Sequence, residues 1–367
     1  MEAIGAQRIL MPSMVHSSLL QKSGRWTQYA RELFRLKDRN DEDYCLAPTH
    51  EEVVTGIVKH NTVSKKQLPL FLYQISNKFR DEIRHKKGLL RAKEFIMKDL
   101  YTFDLDELSA QSTYENVCES YSRIFKRLKL NFKKVKATTG LIGGKVSHEF
   151  HLLSNVGEDT LMICESCGYG CNEDIEVEMK LKLCPYCNNQ LVSQKAIEVG
   201  HSFLLGTKYT EPFELSIDNK YLEMGCFGLG VSRILAAAVE VLSTENQMRF
   251  PLLIAPYKVS IITPKKGSNE EKNNITQFGE DLASHLSDNM FYDDVIIDDR
   301  SHLTIGRRMN DNKLWGIPYI VVVGKKALNE TPKVEMISAY NNESFEMTQS
   351  EIIDYFNRVR NLNEVNE

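Results

Sequence analysis

What the sequence lacks narrows its class first. No run of about 18 apolar residues occurs in the 367-residue chain, so no membrane-spanning helix is expected. Met1 is followed by Glu2 and no long apolar stretch, so no signal peptide is expected either. Neither charge sign dominates: 46 Lys and Arg face 50 Asp and Glu, a formal net charge of −4. With 42% hydrophobic and 26% charged residues, that balance excludes a chain-wide polybasic binder, a disordered tail and a collagen-like fibre. It leaves a nucleic-acid partner open, because local patches matter more than the sum. Internal repeats and low-complexity tracts are absent. Cysteines spread through a small chain, the mark of a secreted disulfide scaffold, are missing too. Of eight cysteines, Cys164, Cys167, Cys171, Cys184 and Cys187 crowd together, which points to a reducing compartment and a metal. Cys45 and Cys118 read as ordinary core. At a domain size of about 150 residues, the length corresponds to roughly two domains.

The chain then divides by pattern. Arg8–Met11 reads as a strand stopped by Pro12, residues 26–36 have helical spacing, and residues 44–46 form a short strand. Thr49-His50-Glu51-Glu52 has the spacing of a capping box opening a helix, and an N-cap is the plainer role for Thr49. Residues 70–76 and 79–83 read as strand pieces, with a return strand at Phe95-Ile96-Met97. Between positions 78 and 99 eight Lys and Arg stand against four Asp and Glu, a local excess of +4. This is either a charged edge hairpin or a phosphate-binding loop. Residues 108–130 carry an apolar stripe of Tyr114, Val117, Tyr121, Ile124 and Leu128, the mark of an amphipathic helix. Residues 147–153 and 203–205 read as strands. Glycine-rich Met224–Gly230 leads into a helix over 231–242. Past Arg249-Phe250-Pro251, strands (259–262, 295–297, 319–323) alternate with helices (270–286, 303–314, 352–359). The apolar runs there predict strands covered on both faces, in a separate α/β domain.

Two constellations carry chemistry. Phe79-Arg80-Asp81-Glu82 followed by Arg91-Ala92-Lys93-Glu94-Phe95 sets two arginines, a carboxylate and an aromatic around a hairpin. Arginine forks suit phosphate or carboxylate, a carboxylate suits an exocyclic amine, and an aromatic can stack on a base. This order resembles the second signature motif of class II aminoacyl-tRNA synthetases. Met224-Gly225-Cys226-Phe227-Gly228-Leu229-Gly230-Val231-Ser232-Arg233 resembles the third, with Arg233 in the first turn of a helix.

Within that class the chain resembles the prolyl-tRNA synthetase family, in its animal mitochondrial form. The strings that carry this are Pro48–Glu52, Gln67–Leu70, Phe79–Arg84, Glu94–Asp99, Ser147–Phe150, Gly200-His201, Gly206–Tyr209, Asp298–Arg300 and Leu303–Arg308. The resemblance implies an α/β chain. Residues 1–249 would be an α+β catalytic domain on the antiparallel class II sheet, with a zinc-knuckle-like insertion at 161–190. Residues 250–367 would be an α/β anticodon-binding domain on a mixed sheet. It implies a ligase that activates L-proline with ATP and passes it to the 3′ end of proline tRNA. Arg80 and Arg233 would be catalytic. Arg80, Glu82, Arg91, Phe95, Glu198 and Arg233 would bind ATP; Thr49, Glu51, Arg80, His201 and Cys226 would bind proline. Mg²⁺ is expected with ATP. For the anticodon the candidates are Asp299, Arg300, Arg307, Asp311 and Lys313; a solvated helix turn is the plainer role for Arg307 and Arg308.

Cys164-x-x-Cys167 and Cys184-x-x-Cys187 have four-cysteine zinc spacing, with Cys171 as a substitute ligand. The alternative is a degenerate site of reduced thiols. Only 26 residues separate Cys171 from Glu198, too few for the editing domain of bacterial relatives, so no cis-editing is expected. Only the tail of the first class II motif is present, at Ile4–Pro12. The family implies a homodimer, which this short start leaves open, and a mitochondrial matrix enzyme, with a bacterial-type cytoplasm as the alternative. A non-catalytic, synthetase-derived accessory protein is the rival function; the complete set Arg80, Glu82, Arg91 and Arg233 argues against it.

Overall fold

The computed structural model describes residues 1–29, 31–61, 64–83, 85 and 88–364. Arg84, Lys86 and Lys87 of the basic stretch lie outside the described residues. The chain forms two compact units, one of residues 1–126 and 131–237, the other of residues 127–130 and 238 onward.

The first unit is built on a nine-stranded sheet. Its order is Gln7–Arg8, Leu70–Phe79, Glu94–Asp104, Glu223–Gly230, Val192–Gly206, Val146–Leu153, Phe132–Lys136, Gly170–Asn172 and Asp159–Ile163. It is antiparallel apart from two short parallel pairings, Gln7–Arg8 on Leu70–Phe79 and Cys171 opposite Lys136. The expected hairpin is present and long, with Leu70 opposite Phe103 and Phe79 opposite Glu94. The amphipathic stripe forms helix Glu107–Arg127, which buries Tyr114, Val117, Cys118, Tyr121 and Phe125. Its rings meet the sheet: Tyr121 lies 5.4 Å from Phe150, and Tyr114 lies 5.6 Å from Phe227. Aromatic pairs at this spacing add about 1 kcal/mol each beyond the area they bury.

Several local expectations change. A helix forms earlier, at Ser17–Lys22, and the helix expected over 26–36 is instead the single turn Arg25–Gln28 and strand Arg35–Lys37. Gly24 breaks the first helix with a φ of 78°, and Arg35–Lys37 is drawn into an antiparallel pair with Asp43–Leu46. The strand expected at Arg8–Met11 is shorter, and Leu10 is exposed. Residues 79–83 are not a second strand piece. After Phe79 the chain leaves the ladder, and the Asp81 N–H donates to the Glu32 carbonyl at 2.9 Å.

In the second unit a five-stranded mixed sheet runs Val295–Asp298, Val259–Ile262, Tyr319–Val322, Val334–Ser338, Ser344–Met347. The first three strands are parallel and the last two antiparallel. Both faces are covered, as the apolar runs require. Val259, Ile261 and Val321 pack with Leu282, Leu286, Ile352 and Phe356; Ile262, Ile320 and Val322 pack with Ile305 and Met309. The helix expected over 270–286 is broken into Asn269–Lys272 and Ile275–Leu286, because Asn274 adopts a left-handed conformation with φ of 60°. Arg308 overturns its solvated expectation. It is fully buried in helix Ile305–Leu314, and its guanidinium donates to the carbonyls of Thr263 (2.6 Å) and Asp298 (2.8 Å). It therefore ties the helix to the ends of two parallel strands.

Candidate active site

Three neighbouring strands in the first sheet bring distant sequence together. Glu223–Gly230 pairs with Glu94–Asp104 on one side and with Val192–Gly206 on the other. Close approach depends on glycine at Gly200: a Cβ there would lie 2.6 Å from Leu229 Cδ2 and 3.2 Å from the Gly228 carbonyl.

A cavity of about 370 Å³ opens over these strands, and its walls include Thr49, Glu51, Arg80, Phe95, Glu198, His201, Cys226 and Arg233. A second cavity of about 200 Å³ holds Glu82 and Arg91 and shares Arg80, Leu90, Glu198 and Arg233 with the first. All the residues expected to bind ATP or proline thus line one or both cavities.

One end is acidic and dry. Glu51, at the start of helix Glu51–Asn61, is fully buried. Its carboxylate accepts from Arg25 Nη1 (2.8 Å), Thr49 Oγ1 (2.8 and 2.9 Å) and Cys226 Sγ (3.1 Å). Burial alone would raise its pKa. The Arg25 guanidinium and the donated hydrogen bonds outweigh burial and hold it at about 2. Glu52 accepts from Ser23 (2.5 Å) and Arg25 (3.2 Å). Thr49 therefore serves Glu51 and Glu52 joins an ion cluster with Arg25, in place of the expected capping box. Burial pushes the Cys226 thiol well up, so it donates as a neutral group and is no nucleophile. The Tyr101 hydroxyl fixes the loop from below: it accepts from the His50 N–H (2.9 Å) and donates to Asp99 (2.8 Å).

The other end is lined by guanidinium groups, each with a partner. Arg80 donates to the Pro48 carbonyl at 3.4 Å and lies 5.3 Å over the Phe95 ring. Arg91 bridges Glu82 (3.1 Å) and Glu158. Arg233 reaches the Glu198 carbonyl (3.2 Å) and carboxylate (3.6 Å). Burial would raise the Glu198 pKa, but the His201 hydrogen bond at 3.2 Å and the charges of His201, Arg233 and His151 hold it well below the carboxylate range.

Among the described residues two clusters could hold metals. Glu149, Glu198 and His201 offer ligand atoms within 4.8 Å of one another. Two carboxylates fit a hard cation such as Mg²⁺. The sulfurs of Cys164, Cys167, Cys184 and Cys187 also lie within 4.8 Å of one another, with Cys164–Cys187 and Cys167–Cys184 both at 3.4 Å. A tetrahedral zinc at about 2.3 Å from each sulfur needs edges of about 3.8 Å, so the set fits. Each pair is a knuckle closed by a left-handed residue. The Gly168 N–H donates to the Cys164 carbonyl, and the Asn188 N–H to that of Cys184, both at 2.9 Å. Cys171 stays outside the set, in strand Gly170–Asn172; Cys45 and Cys118 are buried, as expected of core residues.

In the second unit Arg300 binds Asp298 (2.7 Å) and Asp311 (2.8 Å) and lies 4.5 Å over Trp315; Arg307 binds Asp311 at 3.1 Å. Among the described residues neither Asp299 nor Lys313 joins this cluster. Sequence reasoning missed Arg25, Glu149 and His151 as parts of the first site. Glu149 lay in a recognised string, but Arg25 had no signal beyond its own residue type.

Residues 34–242 match the model of the tRNA synthetase class II core domain (G, H, P, S and T), and residues 258–358 match that of the anticodon binding domain. The chain is 47% identical over 362 residues to the probable mitochondrial proline–tRNA ligase of Rattus norvegicus, covering 96% of this chain and 76% of the rat protein. The chain belongs to the prolyl-tRNA synthetase family. The Homo sapiens protein of the same description is 44% identical, across 99% of this chain and 77% of its own length. The proline–tRNA ligase of Ehrlichia chaffeensis is 39% identical, across 90% and 80%. A solved Giardia lamblia prolyl-tRNA synthetase in complex with prolyl-adenylate superposes with a TM-score of 0.80. It is 18% identical, with 100% of this chain and 71% of that one covered, and it shares the prolyl-tRNA synthetase fold.

A lysine on the face of the hairpin away from the cavity yields a pH test. Lys98 is buried, and its ammonium donates to the Phe227 carbonyl (3.0 Å) and the Tyr121 hydroxyl. Burial pushes its pKa from 10.5 down to about 7. Between those values the unfolded chain binds more protons, so this group's cost is full below about pH 7 and is relieved as pH rises. In melting experiments Lys98→Met should gain most on wild type near pH 6.5 and lose that advantage toward about pH 10. A difference constant with pH would contradict the assignment.

Proposed function

We propose that the protein is a proline–tRNA ligase that condenses L-proline with ATP to prolyl-adenylate and pyrophosphate, then esterifies the 3′ end of proline tRNA. The observation that carries this reading is one continuous site with a buried carboxylate at one end and three arginines at the other. Glu51, held by Thr49, receives the ring ammonium of proline. Arg80 steadies the proline carboxylate as its oxygen attacks the α-phosphorus in line with the leaving pyrophosphate. Arg91 and Arg233 take the β- and γ-phosphates, exchanging their present carboxylate partners for them. Phe95 packs on adenine and Glu82 accepts from its amine. In the second step the tRNA hydroxyl attacks the acyl carbon and AMP leaves. No side-chain nucleophile is needed; orientation and stabilisation of the displaced charge supply the rate. Mg²⁺ entering with ATP would be held by Glu149 and Glu198, where it would neutralise phosphate charge. The Arg300, Arg307 and Asp311 cluster, with Asp299 and Lys313 flanking it, is our candidate for anticodon contact. The names of the rat and human relatives support a mitochondrial, and we infer a matrix, location.

Proline-dependent ATP–pyrophosphate exchange tests the core of this. Wild type should exchange, and Arg233→Ala should lose about 10³-fold of the rate. A folded wild-type protein without exchange refutes the function, and a fully active variant refutes the role of Arg233.

The 26 residues between Cys171 and Glu198 are spent on helix Glu173–Met179, the second knuckle and the start of strand Val192–Gly206. We infer that alanine mischarged onto proline tRNA is not removed in cis. Hydrolysis of alanyl-tRNA by the pure enzyme should stay at the uncatalysed rate, and rapid deacylation would refute this.

We also assign a structural zinc to the four cysteines. Elemental analysis should find one zinc per chain, lost in Cys164→Ser. Four freely titrating thiols in a metal-free protein of unchanged melting temperature would count against it.

A further inference from the structure

Arg25 belongs to none of the motifs that carried the sequence argument. Its side chain is 1% exposed, against 0% for Glu51 and 2% for Glu52. One nitrogen, Nη1, serves both carboxylates, at 2.8 Å to Glu51 and 3.2 Å to Glu52. The flat faces are covered by aromatic rings, Tyr29 at 4.6 Å and Tyr209 at 5.5 Å. Nε and Nη2 are buried without a hydrogen-bond partner. The arrangement therefore holds one guanidinium, two carboxyl groups and no room for bulk water. Burial and the Glu51 charge push the Glu52 carboxyl up, while Arg25 and the donated hydrogen bonds keep Glu51 ionised. Glu51 is the member that reaches the cavity wall.

We propose that Arg25 is the positioning residue for amine recognition: within a buried triad with Glu51 and Glu52 it orients the Glu51 carboxylate for a cationic secondary amine and not for a neutral ring atom. This rests on the assignment of the substrate amine to Glu51. Arg25 fixes the carboxylate from behind while Thr49 and Cys226 fix it from the sides. The incoming N–H groups then find an acceptor whose orientation is already set, and none of the binding energy goes into ordering it. Among the described residues no cation other than Arg25 bonds to Glu51. Tyr29, Tyr101, Tyr209 and Cys226 are kept neutral by burial. Lys208 spends its ammonium on the carbonyls of Leu141 (3.2 Å) and Ile142 (2.7 Å). Arg80 donates to the Pro48 carbonyl at 3.4 Å.

The test compares proline with tetrahydro-2-furoic acid, in which oxygen replaces the ring N–H. Both are measured by calorimetry on the full chain. Wild type should prefer proline by about 100-fold or more. Arg25→Met should cut that preference at least about tenfold while the affinity for the oxygen analogue and the KM for ATP stay within about twofold. Arg25→Lys should restore part of it. A merely structural arginine would weaken both ligands, and ATP, by one factor, and that result overturns the proposal. Wild type offers a second arm that does not depend on the variants folding. With Glu51 held ionised, the preference should stay level from about pH 8 down to about pH 5. A preference that collapses near pH 6 overturns the triad. The two readings separate cleanly. No proline-dependent exchange in wild type sinks the function itself; exchange with a preference untouched by Arg25→Met sinks the triad alone.

Discussion

The pairing of strand Glu94–Asp104 with its two neighbours is the constraint on which the catalytic unit depends. On one side it meets Leu70–Phe79, on the other Glu223–Gly230, residue by residue. Arginine and aromatic groups from the hairpin end and small residues from the glycine-rich strand come together only because these ladders hold. Helix Val231–Leu242 follows Gly230 without a break, so Arg233 is carried to the cavity by the same strand. Neither the hairpin loop nor the helix could present these side chains alone.

Charge is distributed in the site with a consistent economy. Most ionised groups have a partner before substrate arrives: Arg91 has Glu82 and Glu158, Arg233 has Glu198, and Lys78 has Asp99. Breaking a buried pair by removing one member is far costlier than its net contribution, about 3–5 kcal/mol. The cluster at Glu51 is the exception, with two carboxyl groups sharing one guanidinium nitrogen. That cluster sits where we place the cationic amine, and the arginine-rich end is where we place the phosphates. The polarity of the reaction is thus already present in the resting protein.

Much of this was legible in sequence. The hairpin arginines, the glycine-rich strand with its helix and the paired cysteines are local patterns whose spacing fixes their geometry. The two α/β layers of the C-terminal unit followed from uninterrupted apolar runs. What escaped depended on contacts between distant segments. Residues 26–36 have helical periodicity, but Gly24 and pairing with Asp43–Leu46 override it, and Arg25 is buried by rings from positions 29 and 209. Arg308 looked like a surface arginine because its acceptors are main-chain carbonyls of Thr263 and Asp298, which no pattern advertises. Glu149 and His151 sit on one strand and acquire meaning only beside Glu198 and His201.

Asp99 receives donors from two strands: Gln74 Nε2 at 2.9 Å and Lys78 Nζ at 2.8 Å from one, and Tyr101 from its own. Gln74 stands directly opposite it. A slip of the hairpin by a single residue would turn Gln74 and Lys78 to the other face and strand a buried carboxylate. An apolar ladder would tolerate such a slip far more easily, since one aliphatic side chain substitutes for another. Asp99 therefore acts as a proofreader of folding, making the misaligned hairpin too expensive to persist before any substrate is met.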